Sequence, residues 1–149
     1  MDRERLAPLA LRGVGACSVV FGLLGLAYNS ATLFADYSSS SLEMNDDVNP
    51  GQFYTAFYVM SGICVAFYVT LLIVAVQLIR GNYGWARVLL VIVVLEVLYY
   101  LSVGALWTSP HYGMSVAAAS GVSSGGLSFQ AFTLFPIWGP WVALWASRR

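Results

Sequence analysis

The chain has 149 residues, 59% of them hydrophobic and 9% charged, with seven acidic and seven basic residues and zero formal net charge. A soluble domain carries about 25% charged residues, so this chain cannot clothe a globular surface in polar groups, and lipid is its expected solvent. All seven basic residues are arginine and form no basic block, which argues against nucleic acid as a partner, and a single histidine argues against a bis-histidine haem or a metal centre, so no cofactor is expected.

A helix that crosses about 30 Å of hydrocarbon needs about 20 apolar residues. The first such stretch runs from about Gly13 to Ala35. Within it Gly15, Ser18, Gly22, Gly25, Asn29 and Thr32 recur at alternating three- and four-residue intervals, which places them on one helical face. In a bilayer, small residues let backbones approach and polar ones bond across the gap. That face is expected to be a helix-packing contact within the chain, ahead of an oligomer interface. The run Val14-Gly15-Ala16-Cys17 loosely resembles a lipoprotein box, but Arg12 interrupts the apolar segment before it, and no small-x-small cleavage site follows the span. The first span is therefore expected to be retained. Cys17 and Cys64 both fall inside apolar runs and read as small buried residues, not as a redox pair.

The segment from Ser38 to Gly51 reads as a loop, with serines, Glu43, Asp46, Asp47 and an Asn49-Pro50-Gly51 turn. The adjacent solvated acids Asp46 and Asp47 are not expected to hold a cation. A second span is expected from about Phe53 to Ile79; its Tyr54, Tyr58, Ser61 and Tyr68 can share a face, read as an outer aromatic belt and packing groups ahead of a ligand lining. The turn Arg80-Gly81-Asn82-Tyr83-Gly84 forces an antiparallel hairpin into a third span from about Trp85 to Trp107.

Glu96 lies about halfway along that third span. An acid at that depth costs about 2.5 kcal/mol or more on insertion scales, so such residues usually have a purpose. No arginine shares its depth, and a neutral acid that donates one hydrogen bond is the expected form. Tyr100 is one turn away on the same face; Ser61, Thr70, Asn29 and the carbonyl near Phe132 are further candidate partners. A structural hydrogen bond is favoured over a proton- or cation-coupling site formed by Glu96 and Tyr100.

The segment from Ser109 to Ser128 is rich in glycine and serine and reads as a mobile outer loop, in which His111 is expected to have no special role. A fourth span is expected from about Leu127 to Ala146, with Pro136, Gly139 and Pro140 forming a kink or hinge and Trp138, Trp141 and Trp145 anchoring its inner half.

The charges supply an orientation. Arg3, Arg5, Arg12, Arg80, Arg87, Arg148 and Arg149 all fall on one side of this four-span arrangement, and the opposite loops have no arginine. The positive-inside rule puts that side, with both termini, in the cytoplasm. The expected fold is thus one all-α domain over residues 1–149, a four-transmembrane-helix bundle in a plasma or inner membrane. No nucleophile lies beside a base, so an enzyme is not expected. The expected function is a non-enzymatic structural or accessory subunit that packs with itself or with other membrane proteins. The alternative is a small proton- or cation-coupled transporter or channel built around Glu96.

Overall fold

The structure, a computed structural model, describes residues 3–34, 50–107, 130–131 and 133–148. Among these the regular elements are helices: α1 (Arg3–Phe34), α2 (Pro50–Ile79), α3 (Trp85–Trp107) and α4 (Phe135–Ser147). Three stretches, Glu4–Ala31, Tyr58–Ile79 and Trp85–Val103, are long and apolar enough to cross a membrane. The segments expected as outer loops, with Asp46, Asp47 and His111, the carbonyl near Phe132, and the side chains of Thr32, Tyr54 and Trp107 lie outside the described residues.

The α2–α3 hairpin forms as its glycines imply. Gly81 takes φ of 81°, a left-handed conformation that costs glycine little. Its N–H bonds the Leu78 carbonyl at 3.0 Å, and the Asn82 side chain reaches back to Gln77 Oε1 at 2.6 Å. The next helix starts where Trp85 N–H bonds the Asn82 carbonyl at 3.1 Å. Carbonyls at the end of α2 are thereby satisfied within the turn.

Helices α1 and α2 run antiparallel, in contact along the glycine face. A Cβ on Gly15 would lie 3.0 Å from the Ala75 carbonyl oxygen and 2.8 Å from Ile79, and one on Gly22 would lie 2.7 Å from Leu72. At Gly25 the ring of Tyr68 occupies the space a Cβ would need. Ser18 and Asn29, buried on the same face, bond the carbonyls one turn back, Val14 at 2.8 Å and Gly25 at 2.7 Å. This pairing also brings Arg12, Arg80 and Arg87 to one end of the three long helices.

Among the described residues α1 packs on α2 and α4, and α3 packs on α2 and α4, while α1 and α3 do not touch. The four helices therefore form a ring, with α1 opposite α3. Its core contains Leu11, Val14, Tyr68, Leu71, Leu89 and Phe135. Residues such as Leu23, Ile73, Val91, Leu98 and Leu101 point outward. An apolar exterior over a core holding the polar residues suits a chain dissolved in lipid.

The fourth helical segment differs from the expected kinked span. Regular α4 has 13 residues, about 20 Å at 1.5 Å per residue. Pro136 sits in the first turn of α4, not in the middle of a helix, so its missing N–H removes no internal bond there. The discontinuity lies two residues earlier, at Leu134, whose φ of 55° is left-handed. Pro140 remains inside the helix, and Gly139 lies against the Phe135 ring, 2.5 Å from where a Cβ would sit. Phe135 is fully buried on Phe21 of α1, with ring centres 4.9 Å apart, which sets the start of α4 level with the middle of α1.

Candidate functional site at Glu96

Glu96 is on the inward face of α3 and is 1% exposed. Its partner is Gln130, fully buried just ahead of α4. Gln130 Nε2 donates to Glu96 Oε1 at 2.8 Å and to Oε2 at 3.0 Å. Gln130 Oε1 is buried and has no hydrogen-bond partner among the described residues. The Tyr68 hydroxyl of α2 faces the Glu96 carboxyl and lies 3.1 Å from the Tyr100 hydroxyl, with either oxygen able to donate. The Cys64 thiol meets the Tyr99 and Tyr100 hydroxyls, and Tyr99 donates to the Met60 carbonyl at 2.9 Å. A continuous polar cluster thus joins α2, α3 and the approach to α4 inside an apolar shell.

The backbone break beside the cluster is stapled. The Gln130 carbonyl accepts from Thr133 N–H at 3.2 Å and from Thr133 Oγ1 at 3.0 Å, and Leu134 N–H bonds the Ala131 carbonyl at 3.0 Å. Trp138 Nε1 donates to the Thr133 carbonyl at 2.8 Å. The Thr133 carbonyl lies at the break in helical pairing, and the indole of Trp138 serves as its donor. Trp138, exposed like Trp141 and Trp145, thus also secures the break.

No protein-family model, curated protein or solved structure matches this chain. The geometry of the cluster is thus the direct guide to what it can do.

The sequence-derived partners divide clearly. Tyr100 joins the cluster through Tyr68. Asn29 turns its amide to the Gly25 carbonyl instead, and Thr70 bonds the Ala66 carbonyl at 2.7 Å on the exposed side of α2. Ser61 is buried on α2. The direct partner, Gln130, was not among the candidates, nor was Tyr68 as a partner of Glu96. The signal available in the sequence was that Gln130 is the one amide inside the fourth apolar stretch.

Among the described residues no cluster of three or more histidine, cysteine, aspartate or glutamate side chains could hold a metal ion. Between α2 and α3, on the outer surface, Ile63, Ala66, Phe67, Thr70, Ile92 and Leu95 line an open groove of about 270 Å³. Its lining is almost wholly apolar, and the Thr70 hydroxyl there is already bonded to its own helix.

Proposed function

We propose that the chain is a non-enzymatic, four-span integral membrane protein that acts as a structural or accessory subunit. The observation that carries this reading is the direct bond between Glu96 and Gln130. The one acid in the middle of an apolar helix is engaged by another part of the same chain, in a buried contact. Buried polar groups used this way fix which helices pack together and in what register. The outward apolar faces and the groove between α2 and α3 are surfaces on which a second copy or another membrane protein can pack. In this reading the segment ahead of α4 joins α4 to complete the fourth crossing, with both termini and the α2–α3 turn in the cytoplasm.

A second reading, proton or cation coupling at Glu96, draws support from the unpartnered Gln130 Oε1 beside it and from the broken helix at that point. Discontinuous helices line ion and substrate sites in some transporters. Proton flux into liposomes under an imposed pH gradient separates the two. The subunit reading expects the same flux in protein-containing and empty liposomes. Flux that requires the protein and vanishes in Glu96→Gln overturns it in favour of coupling.

A further inference from the structure

A primary amide has two N–H donors and an acceptor oxygen, whereas an ionised carboxylate can only accept. In the Glu96–Gln130 contact, Nε2 faces both carboxyl oxygens and the buried Oε1 lacks a donor. With an ionised Glu96 that acceptor has nothing to take from the carboxyl. A neutral carboxylic acid is the complement of a primary amide, because its O–H meets the amide oxygen while its C=O receives an amide N–H. The two bonds close a ring. A turn of the Gln130 amide that brings Oε1 to one carboxyl oxygen while Nε2 keeps the other converts the observed contact into that ring.

We propose that Glu96 reversibly binds a proton that closes a cyclic acid–amide pair with Gln130, latching the segment ahead of α4 onto α3. Release of the proton to water opens the pair and leaves Oε1 without a donor. The inference goes beyond the subunit reading and requires no net transport, since the proton can enter and leave from the same side.

The surroundings suit such a site. From α2 the facing groups are Tyr68 and Cys64, and from α3 they are Tyr99 and Tyr100. Helix α1 does not pack on α3 and meets the cluster through Gly25, against the Tyr68 ring. The C-terminal side contributes Gln130 itself. These described groups are hydroxyls, a thiol and an amide, with no arginine among them, so a proton is the available positive charge. The Tyr68–Tyr100 contact, in which either oxygen can donate, can reverse its direction as the carboxyl gains or loses its hydrogen. The state of the pair also reaches α4: the Gln130 carbonyl holds Thr133, and the Thr133 carbonyl holds the Trp138 indole.

The test is infrared difference spectroscopy of the full chain in liposomes between alkaline and acidic pH, with carbon-13-labelled glutamine. Acidification should produce a protonated-carboxyl band together with a shift of a glutamine amide band. A chain with Trp138 as its sole tryptophan should change its emission at the same midpoint. In Glu96→Gln the two amides can form the same ring permanently, so both pH-dependent signals should vanish. If that variant does not fold, carbon-13 labelling of the Glu96 carboxyl in the natural chain assigns the band directly. A Glu96 carboxyl band that does not change with pH overturns the proposal. So does one that changes while the glutamine amide band stays still. Neither result depends on whether protons cross the liposome membrane.

Discussion

Gly25→Ala is the sharpest perturbation of the α1–α2 contact. A Cβ there would overlap three ring carbons of Tyr68, a side chain that is fully buried and hydrogen-bonded at 3.1 Å to Tyr100. The ring cannot move aside without loosening that bond. Overpacking a core costs about 1–3 kcal/mol, and a weakened hydrogen bond adds about 0.5–1.5 kcal/mol. Replacing a helical glycine by alanine offsets up to about 1 kcal/mol. The net expectation is a loss of about 0.5–4.5 kcal/mol, combining these terms. Gly13→Ala is the control, because nothing lies within 4 Å of the Cβ it would add; it should be neutral or stabilising by up to about 1 kcal/mol. Reversible unfolding by SDS titration in mixed micelles measures both. Gly25→Ala as stable as the natural chain, or Gly13→Ala equally damaged, would refute the close contact.

Other outcomes follow from the site and the topology. Trp138→Phe leaves the Thr133 carbonyl without its indole donor and should cost about 0.5–1.5 kcal/mol in the same assay. Tyr68→Phe keeps the packing of the ring but removes its hydroxyl from Tyr100 and Glu96, for a loss of about 0.6 kcal/mol and at most about 1.7. With Cys17 and Cys64 changed to alanine, single cysteines at Gly84 and Ser147 should react with an impermeant maleimide from the cytoplasmic side alone. Labelling of the two from opposite sides would contradict the four-span topology.

The long helices were legible because bilayer thickness imposes a long apolar run, and arginines and glycines mark where each run stops. The third span was placed at Trp85–Trp107, and the same limits bound α3. The glycine face of α1 was legible because a small side chain at every turn has few uses in lipid besides close approach. Glu96 stood out for its cost in hydrocarbon. Its partner did not, because matching residues by depth took the helical rise as continuous from Leu127 to the kink at Pro136. Counted at 1.5 Å per residue, Gln130 lies about 24 Å from Ala146 along the chain, and Glu96 about 17 Å from Trp85. The left-handed Leu134 and the turn before it interrupt the rise, which brings Gln130 down to Glu96. A leucine in that conformation pays a steric penalty that its own sequence neighbourhood does not announce. Pro136, four residues from Pro140, suggested a kink, yet proline is equally at home in the first turn of a helix. Two placements fit one pattern, and the buried Phe135 on Phe21 decides between them.

The most direct measurement is a double-mutant cycle between Glu96 and Gln130 in a lipid-like environment, using Glu96→Leu, Gln130→Leu and the pair. Each single change strands a buried polar partner, whereas the double change removes both and fills the space with apolar atoms. The bond should appear as a coupling of about 0.6 kcal/mol, up to about 1.7, with the double variant more stable than Gln130→Leu alone. Two single losses that simply add would show that Glu96 and Gln130 do not hold each other, and the proposed role of the pair in joining α3 to the C-terminal segment would fall.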